Sequence, residues 1–267
     1  MTKPDKFQTI LLNIEGQMAW VTLNRPDIHN AFNSLMISEL DTAFSWIEKN
    51  EDIRVAVLTG AGRSFCAGAD LNWMREIIKY SFEQNLQESR HIADVLHKIY
   101  ALPKPTIAMV NGTAIGGGTG LLSACDIVIA ADRAKFGLSE VKLGLVPAAI
   151  SPYVVRRIGE SKARQYFLTG ERILAGRAVE IGLVNEMVSL DNLKTRVDDL
   201  IENLLTSGPE AIANCKELIF RVPRMDMEEA KEFTARMIAE LRISREGQEG
   251  MAAFLEKRPP SWTKPKK

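Results

Sequence analysis

Apolar positions alternate with polar ones over residues 7–14 and again over residues 18–23, with Glu15-Gly16 between the two runs. Every second side chain of a strand points to the same face, so this pattern predicts a β-hairpin. The period then changes. Met36, Leu40, Phe44 and Ile47 recur at helical spacing, and Asn33 or Ser34 supplies the side-chain oxygen that caps the first turn of that helix. Residues 53–58 are almost continuously apolar, as a strand covered on both faces requires, and end at the loop Thr59-Gly60-Ala61-Gly62-Arg63. Asp70 is placed to cap a helix that begins near Leu71, residues 82–101 read as a long polar helix, and residues 106–110 form another buried strand.

Asn111-Gly112 breaks that strand, and Gly116, Gly117 and Gly118 open a small-residue segment running to Ala124. The predicted sequence of structures is strand, turn and first turn of a buried helix. Glycines there leave backbone N–H groups uncovered at a helix end that already carries unpaired donors and a partial positive charge, so a developing anion can rest on them. A phosphate is not implied. The Gly-Lys-Ser/Thr of a P-loop is absent, and Leu121 and Ser123 stand where a dinucleotide fingerprint needs its third glycine. Three glycines ahead of a helix also serve as a close-packing device, so the segment alone decides nothing.

A strand over residues 126–130 follows, then residues 134–136 and the loop holding Glu140. Helical patterns cover residues 152–158, 161–168 and 175–181, with a lone strand at 183–188. Beyond Leu190 only helices are predicted, broken at Ser207-Gly208-Pro209 and Val222-Pro223, and the chain closes on a basic tail, residues 257–267. The organisation expected is an α/β body over residues 1–205, each strand returning beside the last, and a helical region over residues 206–267.

Composition narrows the function classes. Across 267 residues, 34 Lys and Arg balance 34 Asp and Glu, so no overall field draws the chain to nucleic acid or to an anionic membrane. Cys66, Cys125 and Cys215 form no CxxC pair, and His91 and His97, six apart, fall on different faces of their helix, so neither a disulfide framework nor a metal site is expected. The N-terminal MTKPDKFQTI lacks an apolar core, and no run of about 18 apolar residues suits a membrane span. A cytoplasmic protein without metal, nucleic-acid partner or membrane partner is the expectation.

Six motifs, in order, carry a resemblance. Asn24-Arg25-Pro26 with Asn30-Ala31, Phe65-Cys66-Ala67-Gly68-Ala69-Asp70-Leu71, Asn111-Gly112 with Gly116-Gly117-Gly118, Ala124-Cys125-Asp126, Phe136-Gly137 with Glu140 and Gly144, and Phe254-Leu255-Glu256-Lys257-Arg258 together resemble the crotonase, or enoyl-CoA hydratase/isomerase, superfamily over essentially the whole chain. The resemblance implies an α/β fold built as a spiral of ββα units, a helical C-terminal trimerisation region, and a homotrimer or homohexamer. It implies an acyl-CoA thioester as substrate, CoA being part of that substrate and no separate cofactor being needed. It further implies that the N–H groups of Ala69 and Gly117 stabilise a thioester enolate. Ala67, Gly68 and Leu71 would line the adenine and pantetheine channel, Asn30 and Ala31 would lie near the CoA entrance, and Lys257 would reach a neighbouring subunit's CoA phosphate. A solvated tail is the equal alternative for Lys257. Many hydratases carry a lysine two residues past the aspartate of the AGAD motif; here Asn72 stands in that place.

Hydratases of this kind hold a water between two glutamates. Glu140 matches the second, but the first falls on Gly120. Two consequences compete: Glu140 alone holds the water and returns its proton, or the chain shifts a double bond as a Δ3-Δ2 enoyl-CoA isomerase with one acid/base. The Gly-Gly-Gly-Thr-Gly-Leu run, the segment over residues 138–152 and the C-terminal Glu-Gly-Gln-Glu-Gly ending resemble the bacterial 3-methylglutaconyl-CoA hydratase branch of leucine catabolism and its relative acting on isohexenylglutaconyl-CoA. A glutaconyl substrate brings its own carboxylate, which would repel a glutamate at position 120 and for which Arg156 and Lys142 are candidate anchors. The reading from a different class is a protein that keeps the fold without turnover, as in relatives that bind RNA; the balanced charge and the presence of Glu140 speak against it.

Overall fold

The computed structural model describes residue 4 and residues 6–263; the part of the basic tail over 264–267 lies outside the described residues. The predicted hairpin forms from β1 (Ile10–Glu15) and β2 (Met18–Leu23), antiparallel, with Ile10 opposite Leu23. In α1 (Ser34–Lys49) the cap is Asn33, whose Oδ1 accepts from the Met36 N–H at 3.0 Å.

Three passes then repeat. β3 (Val55–Gly60) leads to β4 (Ser64–Cys66) and the helices α2 (Leu71–Ile77) and α3 (Phe82–Ala101). β5 (Thr106–Val110) leads to β6 (Thr113–Ile115) and α4 (Gly117–Ala124). β7 (Ile127–Ala131) leads to β8 (Lys135–Gly137) and α5 (Ser151–Thr169). Each pass lays one strand in each of two sheets, the ββα spiral of a crotonase fold. After α5 come β9 (Arg172–Leu174), α6 (Ala175–Glu180), β10 (Glu186–Val188) and α7 (Leu193–Leu205). The larger sheet runs β1-β2-β3-β5-β7-β10 and is parallel beyond the hairpin; the smaller runs β4-β6-β8-β9, with only β9 antiparallel. The corner from β5 to β6 requires glycine, because a Cβ at Gly112 would stand 2.0 Å from the Arg63 carbonyl oxygen.

The central strands are buried on both faces, which is why they read as continuous apolar runs. Ala56, Leu58, Ala108, Val110, Val128 and Ala130 join the main core with residues of α1, α3 and α4. On the opposite face Val55, Val57, Ile107, Ile129 and Ala131 meet Leu193, Val197 and Ile201 of α7. Each such side chain contributes about 1.5–3 kcal/mol by leaving water.

The two helices expected over 152–158 and 161–168 both form within α5, separated at Gly159, whose φ of 71 is not helical. Differences from the sequence reading are local. The three-residue strands β4, β6 and β9 were not separated from loops by pattern, since three residues cannot show a period. The helical region consists of α8 (Pro209–Arg221), α9 (Met227–Ile243) and α10 (Arg245–Leu255), with an unforeseen break at Ser244, whose Oγ accepts from the Gly247 N–H at 3.0 Å. The boundary expected at 205/206 falls in the turn between α7 and α8. No helix among the described residues is long and apolar enough to cross a membrane.

Candidate active site

The register of the small sheet assembles the site. Cys66 of β4 is opposite Ala114 of β6, and Ile115 of β6 is opposite Gly137 of β8. Ala69, Gly117 and Glu140 each lie three residues beyond one of these paired positions. Parallel strands end on one edge, so three distant segments deliver Ala69, Gly117 and Glu140 to the same edge of the sheet. Two helices start there. Asp70 caps α2, its carboxylate accepting the Asn72 N–H at 2.7 Å and pairing with Arg25 at 2.7 Å. Burial opposes ionisation of Asp70, but the Asn72 amide and Arg25 outweigh it and hold the carboxyl below its ordinary range.

Phe32 ties the first two positions together. It forms a parallel bridge with Ala69: its N–H donates to the Gly68 carbonyl, and its carbonyl accepts from the Asp70 N–H, both at 2.9 Å. Successive amides of an extended chain point to opposite sides, so the N–H of Ala69 faces away from Phe32. The same ring packs on Gly117, where a Cβ would stand 2.2 Å from Phe32 Cε1. Gly117 opens α4, and the N–H of a first helical residue has no acceptor within the helix. Two backbone donors at two helix starts thus flank one aromatic ring.

Glu140 completes the edge. Its Oε1 lies 3.1 Å from where a Cβ of Gly116 would be, so its carboxyl rests on the residue before Gly117. Its Oε2 is buried without a hydrogen-bond partner. Desolvation raises the carboxyl above its ordinary value, opposed in part by a hydrogen bond from its own backbone. A half-buried carboxyl with a free oxygen beside the N-terminus of a helix is suited to pass a proton to and from a carbon adjacent to a stabilised oxyanion.

The remaining expected positions divide. Ala67 is exposed beside this edge with its N–H donating to the His29 carbonyl at 2.9 Å, Gly68 adopts φ +96, and Leu71 is 70% exposed at the start of α2. Ala31 and Asn30 are buried. The Asn30 amide donates to the Ala61 and Ser64 carbonyls, both at 2.8 Å, and its Oδ1 accepts from the Arg25 N–H at 2.9 Å. That side chain is committed to holding the loop as a brace. Lys257 is exposed after α10, a helix that packs on α8 and α9 rather than on the small sheet; within one chain it is not brought to this edge.

Arg156 stacks over Tyr100 and Phe220 and donates to the Tyr100 hydroxyl at 3.1 Å, whereas Lys142 is exposed two residues beyond Glu140. Burial pushes the thiols of Cys66 and Cys125 up to about 12, so neither is a ready nucleophile. Among the described residues no group of three or more His, Cys, Asp or Glu is arranged to hold a metal ion.

Sequence reasoning missed Phe32 and Ile150. Ile150 fills the space over Gly120, where a Cβ would stand 2.0 Å from Ile150 Cγ2. Ile150 lies in the segment over residues 138–152 that the sequence singles out; which residue it faces is not legible there. A cleft of about 590 Å³ lined by Arg54, Lys104 and Trp262, and a second of about 410 Å³ lined by Tyr100, Lys216 and Phe220, lie beside α8 and include none of Ala69, Gly117 and Glu140. In both, the cations already have partners. Arg54 donates to the Ser207 carbonyl, Lys104 to the Ile47 and Asn50 carbonyls, and Lys216 pairs with Asp126. Convergence of strand ends, rather than cavity size, marks the candidate site.

Comparison with known proteins agrees with the fold. Residues 13–265 match the family described as enoyl-CoA hydratase/isomerase. The crystal structure of an enoyl-CoA hydratase from Shewanella pealeana is 41% identical, covering 96% of this chain and 97% of that one at a TM-score of 0.94. An enoyl-CoA hydratase/isomerase from Marinobacter aquaeolei is 35% identical, covering 96% and 99% at a TM-score of 0.92. The short-chain-enoyl-CoA hydratase of Clostridium acetobutylicum is 34% identical over 259 residues, 95% of this chain and 97% of that protein.

Proposed function

Because the chain belongs to the enoyl-CoA hydratase/isomerase family, we propose that it adds water across the double bond of a 2-enoyl-CoA, with Glu140 as its one carboxyl acid/base and the amides of Ala69 and Gly117 as oxyanion donors. Activity of the enoyl-CoA hydratase/isomerase type on acyl-CoA follows from the family. The observation that carries the assignment of roles is the Glu140 carboxyl lying against Gly116 with one buried, unpartnered oxygen. As carboxylate it takes a proton from water while the hydroxyl bonds to C3 of the enoyl group. The electron pair of the double bond moves onto the thioester oxygen, where the two amides stabilise it. Glu140 then returns the proton to C2, and the product is the 3-hydroxyacyl-CoA.

The finer reading is a branched substrate, 3-methylglutaconyl-CoA or a related glutaconyl thioester. Gly120 and the 138–152 segment support it. With Arg156 engaged by Tyr100 and Phe220, Lys142 is the candidate left to meet the substrate carboxylate. A homotrimer or homohexamer belongs to the same proposal, and exposed Ile219, Met227, Ile243, Phe254 and Leu255 supply apolar surface for subunits to cover. The isomerase alternative uses the same groups, Glu140 moving a proton from C2 to C4 of a 3-enoyl thioester.

Separate incubations with crotonyl-CoA, a 3-enoyl-CoA and 3-methylglutaconyl-CoA decide among these. Highest kcat/KM for hydration of the last supports the full proposal, and turnover of the 3-enoyl thioester alone selects the isomerase. Failure to turn over any thioester, together with salt-dependent RNA binding, overturns both.

A further inference from the structure

Gly120 stands one turn after Gly116 on α4, its N–H donating to the Gly116 carbonyl at 3.0 Å. A side chain there has no room: its Cβ would lie 2.0 Å from Cγ2 and 2.7 Å from Cβ of Ile150, far inside the roughly 3.5–4 Å at which carbons pack. Ile150 is itself fixed. It is 4% exposed and stands at the start of α5, where its carbonyl accepts the N–H groups of Tyr153 at 3.1 Å and Val154 at 3.2 Å. The segment from Glu140 to Ile150 therefore packs at its two ends against the N-cap and the first turn of α4. At one end the Glu140 carboxyl lies on Gly116; at the other the branch of Ile150 occupies the missing Cβ of Gly120. Between these anchors Leu143, Leu145 and Val146 are 62%, 56% and 70% exposed.

The geometry points to Ile150 as a positioning residue: seated in the gap left by Gly120, it holds the loop that presents Glu140 and fills with apolar atoms the place on α4 from which a second carboxyl would project. This rests on the hydratase reading for its kinetic consequence, but the steric lock stands independently of it. A second acid cannot be added at position 120 by one substitution; Ile150 has to leave first.

The test is a double-substitution cycle on the full chain, read by melting temperature and by kcat and KM on crotonyl-CoA. Ile150→Val keeps the branch at Cβ and is expected to retain kcat within about threefold. Ile150→Ala is expected to lose about tenfold to a hundredfold in kcat, with KM nearly unchanged, since a displacement of about 1 Å at a catalytic group costs on that order. Gly120→Ala is expected to melt far lower or to yield no soluble protein. Adding Ile150→Ala to it restores folding and part of kcat, a coupling of opposite sign to simple addition. The conservative rescue and the split between kcat and KM distinguish positioning from general destabilisation.

Any of three results overturns the inference: Gly120→Ala matching the parent in melting and turnover, a double variant no better than Gly120→Ala, or Ile150→Ala melting lower at full kcat. A parent chain that turns over no enoyl thioester overturns the hydratase reading instead, and the melting cycle still decides the lock. Coupled melting temperatures uphold it and additive ones refute it.

Discussion

In the larger sheet every strand but β10 is five or six residues long, and β3, β5 and β7 are buried on both faces; in the smaller sheet every strand is three residues long, and the parallel strands β4, β6 and β8 stop where the candidate chemistry begins. The larger sheet binds two apolar cores together, whereas the smaller aims three chain segments at one edge. Rigidity and direction come from different parts of one spiral, because each pass crosses both sheets. A substitution in one sheet should therefore move stability, and one at the edge of the other should move turnover.

The sharpest separation is expected from Glu140→Gln. Removing the proton acceptor should lower kcat by about 10²–10⁴-fold, while the melting temperature holds or rises, because the buried Oε2 has no hydrogen bond to lose and a neutral amide relieves the desolvation of the carboxylate. Circular dichroism melts beside steady-state kinetics check both halves. Gly117→Ala comes next. Its Cβ would meet the Phe32 ring at 2.2 Å, so the ring or the amide must shift, and displacement of the amide is expected to cost about 10²–10³-fold in kcat.

The converse result belongs to the larger sheet. Leu58, 1% exposed in the main core, should cost about 2–5 kcal/mol of stability on change to Ala, measured by urea unfolding, with kcat per folded molecule unchanged. A large fall in kcat from Leu58→Ala would break the division between the sheets.

The smallest effect is in pH. The Glu140 carboxyl titrates above its ordinary 4.5 because it is desolvated. Between 4.5 and the raised value the folded chain holds a proton that the unfolded chain has released, so this group's contribution to stability falls as pH rises through that window. Hydration needs the carboxylate, so kcat/KM climbs across the raised value. Glu140→Gln should abolish this group's part of the pH dependence of unfolding.

The sequence made the larger sheet legible because its strands are long enough to show a period and the helices after them carry caps, Asn33 and Asp70, that can be read directly. The smaller sheet was hidden for the opposite reason. Its strands have no period, and their pairing is fixed by glycine corners and by register. The positions of Ala69, Gly117 and Glu140 entered through motif resemblance; the edge they share required the pairings Cys66 with Ala114 and Ile115 with Gly137. The partners of Gly117 and Gly120, Phe32 and Ile150, were out of reach, because a missing Cβ does not say which distant side chain occupies its space. A carboxylate on the substrate gives an electrostatic reason for the absence of a glutamate at position 120. The packing of Ile150 adds a steric reason, so Gly120→Glu is expected to fail with every substrate, and removal of Ile150 is needed before the acid can be accommodated.

The claim on which all of this depends is that two amides and one carboxyl converge on a bound thioester. The most direct measurement is a crystal structure of the Glu140→Gln chain with crotonyl-CoA bound. The thioester oxygen is predicted within about 3 Å of the nitrogens of both Ala69 and Gly117, with the residue-140 side chain facing C2 and C3. A thioester oxygen held by other groups, or amides of Ala69 and Gly117 directed to different sides of the bound acyl chain, would contradict it.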